Sequence, residues 1–217
     1  MMRSVVALLP NFLQSSVRSY HHHRQLKRGV FRSPEPEWDR LAEWVKAGDT
    51  VLDIGANVGH YTCKLSELTG ADGRVFAFEP VPDTFAALAS NVRGLPQRNV
   101  TLFNAAVGDS SELVGFHVPT QAGGSYLAHV DPTAKLKCFV LAVDALHLPG
   151  RVGFIKIDAE GHEPNVLAGL VNLLKRDRPV VLLEKNAQAQ AMLVELGYTI
   201  TVGPTKTPNV VALPPNE

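Results

Sequence analysis

The segment Val51-Leu52-Asp53-Ile54-Gly55-Ala56-Asn57-Val58-Gly59 carries a short apolar strand straight into a glycine turn, and Tyr61 to Leu68 then follow at helical spacing. A strand, a tight turn and a helix in that order open a βαβ unit, whose next strand returns parallel to the first. Arg74 to Phe78 is that strand, and the alternation continues through helix Asp83 to Arg93 and strand Val100 to Asn104. After a break it resumes with strand Gly153 to Ile157, helix Glu163 to Lys175, strand Val180 to Leu183 and helix Ala187 to Leu196. A helix from Pro36 to about Lys46 precedes the series, with Trp38, Leu41, Trp44 and Val45 on one face. This predicts an α/β fold: a Rossmann-like, mostly parallel central sheet covered by helices on both faces. Tyr198 to Val202 and Val210 to Leu213, around a Gly-Pro turn, predict a closing antiparallel hairpin.

Residues 109–138 interrupt the rhythm. Val114 to Val118 and Leu136 to Val143 read as extended segments, and Thr120 to Ala134 as a Gly-rich loop. A loop of this length inside a compact domain is more often functional than accidental, so Gly123-Gly124-Ser125-Tyr126 is the expected lid or acceptor loop, with Tyr126 or His129 touching the acceptor. Asp144 ends an extended segment and is expected to serve as a turn or cap.

A chain of 217 residues suits one domain with an appendage, here 1–34 as a loosely ordered basic arm before a domain over 35–217. The arm holds six Lys and Arg (Arg3, Arg18, Arg24, Lys27, Arg28, Arg32) and no acid, whereas the rest carries 15 basic against 21 acidic side chains. A net acidic body argues against nucleic-acid binding, which needs clustered cations. The arm can be a transit peptide, a contact segment for a partner or anionic surface, or a plain extension. Only Cys63 and Cys138 occur, which fits a reducing compartment. No apolar run approaches the roughly 20 residues of a membrane span. A cytoplasmic location follows, with organelle targeting by the arm left open.

The two ends of the first βαβ unit define a ligand. Glycines after a strand let the backbone approach a bound molecule closely. Twenty residues beyond Gly59, Glu79 ends the second strand, where a carboxylate can accept both hydroxyls of a ribose. A pyrophosphate binder shows GxGxxG, and a Walker phosphate site shows GxxxxGK[ST]; this chain has neither. Its turn instead carries an acid, Asp53, which suits a cationic ligand. S-adenosylmethionine, with a sulfonium and an ammonium, fits that pattern.

Asp53 to Thr62, Phe78-Glu79-Pro80, Ala105-Ala106-Val107-Gly108-Asp109 and Ile155-Lys156-Ile157-Asp158-Ala159-Glu160-Gly161-His162-Glu163 together resemble the FkbM-type family of class I methyltransferases. The resemblance covers roughly residues 36–185. It implies the class I methyltransferase fold, S-adenosyl-L-methionine as donor and usually a hydroxyl acceptor. By position, Asp53, Gly55, Asn57 and Gly59 would line the methionine part, Glu79 and Pro80 the ribose, and Asn104 and Ala105 the adenine. The basic arm is no part of the family pattern, and the region after Glu184 is short.

Methyl transfer needs an acceptor lone pair aligned with the methyl carbon, and a hydroxyl also benefits from a base. Asp158, Glu160 and His162 lie at and just beyond the end of a strand, on the ligand edge. His162 is the preferred general base, since an unperturbed imidazole titrates near 6.5, with Asp158 orienting it or the acceptor. A divalent cation on Asp158, His162 and Glu184 is the weaker alternative, and no metal ligand is assigned. Glu184 is otherwise expected to cap the last helix or anchor Asn186. The expected function is O-methylation of a small-molecule or glycan hydroxyl. The alternatives are N-methylation, against which Asp158-Ala159-Glu160-Gly161 argues, and a non-catalytic donor-binding protein acting through its arm.

Overall fold

The computed structural model describes residues 21–22, 24–26, 28–118, 129–131, 133–202 and 207–215. Its centre is a seven-stranded sheet. Parallel strands β1 (Thr50–Ile54), β2 (Arg74–Phe78), β3 (Val100–Phe103), β8 (Val152–Ile157) and β9 (Val180–Glu184) form the body of the sheet. β11 (Asn209–Leu213) runs antiparallel to both β9 and β10 (Thr199–Val202), giving the order β10-β11-β9-β8-β1-β2-β3. The C-terminal hairpin is therefore the antiparallel edge expected from the sequence.

Alternation along the strands sorts the core into two layers. Leu52, Ile54, Phe76, Phe78, Ile155 and Leu183 face one side, where they meet α4 (Glu163–Ala168), α5 (Val171–Asp177) and α6 (Ala187–Glu195). Val51, Val75, Phe154 and Leu182 face the other. There they pack under α1 (Leu41–Trp44) and α2 (His60–Thr69), with Tyr61 and Leu65 in contact. Leu88 of α3 (Pro82–Val92) closes a smaller cluster with Ala56 and Ala77. Each residue has one face to bury, so the period-2 pattern of a strand decides which helix it touches.

Two helices are shorter than their periodicity suggests. The first splits into a 3-10 turn over Pro36–Arg40 and α1, and Val45 leaves in extended geometry. The run from Glu163 breaks at Gly169, where a Cβ would lie 1.9 Å from the Gly108 carbonyl oxygen. Asp144 starts the second half: its carboxylate accepts the backbone N–H groups of Asn172 and Leu173 at 2.8 and 2.9 Å. It is a cap, as expected, but of a helix 28 residues away.

The irregular region holds a second sheet. β4 (Ala106–Val107), β5 (Glu112–His117), β6 (His129–Val130) and β7 (Lys137–Leu141) pair in the order β4-β7-β5-β6. The two extended segments are its antiparallel centre, with Leu113 opposite Phe139. Gly123 to Tyr126, the expected lid, lies outside the described residues, as does most of the arm. Of the arm's described part, Phe31 is buried and stacks on His60 with ring centres 4.2 Å apart.

Candidate active site

The sheet reverses direction of winding at β1, which has β2 on one side and β8 on the other. Such a switch point opens a crevice at the carboxyl ends of the strands. Here the three strand ends are sewn together by backbone. Gly55 and Ala56 donate to the Phe78 carbonyl at 3.0 and 2.9 Å, and Asp158 donates to the Ile54 carbonyl at 3.0 Å. Gly55 has φ +78°, and a Cβ on it would stand 1.8 Å from the Asp158 carbonyl oxygen. Only glycine lets the two strand ends meet.

The turn then positions Glu79. Asn57, in left-handed geometry (φ 51°), donates its backbone N–H to Glu79 Oε2 at 2.9 Å, and Val81 N–H binds Oε1 at 2.9 Å. Burial pushes the Glu79 carboxyl up to about 7, although both amides pull it down. Each oxygen thus accepts one amide and keeps a further lone pair. Asn104 holds the neighbouring chain by donating to the Glu79 carbonyl at 2.8 Å and the Pro80 carbonyl at 3.2 Å.

A cavity of about 300 Å³ lies over these ends, within the range of small-ligand sites. Gly55, Asn57, Glu79, Pro80 and Ala105 line one part of it. Val114, Phe116 and Val140 of the second sheet wall another, and Asp158, Ala159, Glu160 and His162 line a third. Asp53, Gly59 and Asn104 do not line it. Gly59 starts α2 with φ +93°, and a Cβ there would press Leu88 at 2.7 Å. Asp53 is fully buried below the turn, where Oδ2 accepts the Thr62 hydroxyl at 2.5 Å and Oδ1 has no hydrogen-bond partner among the described residues. Burial raises its pKa, against the pull of Lys156.

The turn after β8 is built around Glu163, which is buried and accepts the Ala159 and Gly161 N–H groups at 3.2 and 3.1 Å. Its other oxygen accepts Asn186 Nδ2 at 3.0 Å, and Asn186 caps α6 through Gln188 and Ala189 N–H. Glu163, rather than Glu184, is thus the acid that anchors Asn186, because it is the buried one. The turn forces Glu160 into left-handed geometry at φ 50°, a conformation uncommon for a residue other than glycine. Partial burial, with Asp158, Glu184 and Glu163 nearby, pushes the Glu160 carboxyl up to about 7. His162 stands at the start of α4, beside the cavity. Among the described residues no three His, Cys, Asp or Glu side chains converge as a metal-holding group.

One charged residue at this site has no role in the sequence reading. Lys156 is buried, and its Nζ donates to Asp158 Oδ2 at 2.9 Å. It also lies 4.6 Å from the centre of the Tyr61 ring, whose hydroxyl donates to Glu35. A lysine inside an apolar strand two residues before an acid, hence on the same face, is the signal that could have marked it.

A parallel sheet of this order, a glycine turn after its first strand, an acid after its second and a cavity at the switch point define the Rossmann-like class I methyltransferases. The profile of the methyltransferase FkbM domain matches residues 53–200. The chain belongs to the FkbM methyltransferase family, and its cofactor is S-adenosyl-L-methionine. It is 30% identical over 138 residues to the hexuronic acid methyltransferase AglP of Haloferax volcanii, a match covering 62% of this chain and 55% of that one. The chain thus spans little more than half the length of that relative. The methyltransferase FkbM of Methylobacillus flagellatus superposes with a TM-score of 0.55 at 16% identity, over 97% of this chain and 57% of the other. A SAM-dependent O-methyltransferase of Thermotoga maritima does so at 0.50 and 14%, over 86% and 68%. The residues present fit the cofactor: Gly55, Asn57 and Glu79 line one part of the cavity together, and the Glu79 carboxylate at the end of β2 accepts one amide on each oxygen. No helix among the described residues is long and apolar enough to cross a membrane.

Proposed function

We propose that the protein is an S-adenosylmethionine-dependent O-methyltransferase acting on a hydroxyl of a glycan or small molecule. The observation that carries this reading is that Asp158, Glu160 and His162 line the same cavity as Asn57, Glu79 and Ala105. The donor, when bound, supplies a methyl group already activated on a sulfonium. Glu79 receives the ribose hydroxyls, and Gly55 and Asn57 line the path of the donor's chain. Proximity is then the main catalytic term, because alignment of acceptor and methyl replaces a bimolecular encounter.

Glu160 is the general base, in place of the His162 favoured by intrinsic pKa. It projects from the strained turn at the cavity, and its carboxyl titrates near neutrality, where a base works best. It takes the hydroxyl proton as attack develops, while His162 orients the acceptor. The likeness to a hexuronic acid methyltransferase makes sugars the acceptors to screen first. A base that must be deprotonated gives a rate that rises with pH through about 7, following the Glu160 carboxyl. The test is the pH-rate profile of labelled-methyl transfer to a sugar panel. Glu160→Gln should lower turnover by about 10² or more and remove the acid limb. A variant that keeps both rate and limb would end Glu160's candidacy. Donor binding with no transfer to any acceptor would favour a non-catalytic binding protein.

A further inference from the structure

Lys156 faces away from the cavity, yet it is the buried cation of the site. Register places it beside Asp53 on the neighbouring strand, and both side chains lie on the α2 side of the sheet. Its ammonium donates to Asp158, sits against the Tyr61 ring and has Asp53 and Glu35 in its field. An ion taken out of water at such a depth needs close partners, or it gives up its charge. Lys156 keeps its proton: burial works against it, but Asp158 and Asp53 more than offset that and hold its pKa above the ordinary value.

Asp158 has the reverse surroundings. The acids that face it are Asp53 from β1, Glu160 from the turn and Glu184 from the end of β9. Lys156 is the cation that faces it from its own strand. Without that partner, the Asp158 carboxylate would face three neighbouring acids with no compensating charge.

We propose that Lys156 is a positioning residue, whose ion pair compensates the Asp158 carboxylate and fixes it along the cavity wall, facing the cationic methionine end of the donor. This rests on the site placement in the proposed function. Tyr61, tied to Glu35, fixes the other side of the ammonium, so the segment before α1 is joined to the ligand edge through three side chains. A lysine kept only for packing would be replaceable by methionine, which has nearly its length and no charge.

The experiment is calorimetric titration of the full chain with S-adenosylmethionine at pH 8 and pH 6. Wild-type binding shows that the donor site itself is intact, and its own change between the two pH values, which follows the Glu79 carboxyl, is the reference. Lys156→Met should bind about ten-fold more weakly than wild type at pH 8, the loss expected for one charged hydrogen bond, and the gap between the two should be wider at pH 6. Lys156→Arg should restore most of the affinity and the wild-type dependence on pH. Wild-type affinity together with the wild-type dependence on pH in Lys156→Met would overturn the proposal. Should that variant fail to fold, Lys156→Met with Asp158→Asn leaves neither charge alone. This pair should bind no more weakly than Asp158→Asn by itself, and an added ten-fold loss would equally overturn it.

Discussion

The two ends of the cavity are made differently. At the donor end, between β1 and β2, the working parts are backbone groups and one carboxylate within a stretch of about thirty residues. At the acceptor end, Glu160 and His162 come from the turn after β8 and Val114 and Phe116 from the second sheet, that turn is braced by Glu163 against Asn186 of α6, and Asp158 stands where the two ends meet. The first end is local and rigid; the second is assembled from segments far apart in sequence. A shared cofactor can be met by one fixed cradle, while acceptors differ, so the variable end is placed where loops and inserted strands can change without disturbing the first.

Substitutions at the donor end should therefore alter binding of the donor, and those at the acceptor end turnover alone. The largest effect is expected for Gly55→Ala, which places a methyl 1.8 Å from a backbone oxygen in a left-handed conformation. Separating β1 from β8 costs about 3 kcal/mol or more. Thermal melting should show the loss together with undetectable donor binding; retention of both would mean the strand ends can part. Next comes Glu79→Ala. Losing two hydrogen bonds to a charged acceptor should weaken S-adenosylhomocysteine about 100-fold by calorimetry. Unchanged affinity in a folded variant would remove Glu79 from the site. His162→Ala, at the other end, should lower turnover about ten-fold through one lost contact to the acceptor and leave donor affinity nearly untouched. If it weakened the donor instead, the two ends would not be separable.

What the sequence reveals follows the same division. The glycine turn, Glu79 and the parallel alternation of strands and helices are legible because each depends on neighbours a few residues away or on the handedness of βαβ units. Asp53 shows the limit of that reading: its type and position suggested contact with a cation, and its burial puts Lys156 on its strand neighbour and Thr62 against its oxygen. Two extended segments were visible at 114–118 and 136–143, but their pairing into a separate sheet was not, since nothing local says which strand lies beside which. The buttress made by Glu163 needed α6 to be in place. Lys156 could have been noticed from its apolar strand, though only the fold supplies Tyr61 and Glu35.

Asp144 tests where the division falls, with the smallest effect. It leaves β7 of the second sheet and caps α5, which packs under the main sheet, so it is a seam between the two parts. Periodicity alone ran α4 and α5 together; Gly169 interrupts them and Asp144 restarts the helix by satisfying two N–H groups that would otherwise be unpaired. Asp144→Ala should cost about 1 kcal/mol, as for other helix caps, and lower the melting temperature by about 2–4 °C in a chain of this size. Donor affinity should stay within about two-fold, since nothing at the β1 and β2 ends moves; a larger change is the scale of several tenths of a kcal/mol and would show. A drop in donor binding that exceeds the loss of stability would mean that the second sheet transmits strain to the glycine turn, and that the two ends form one mechanical unit.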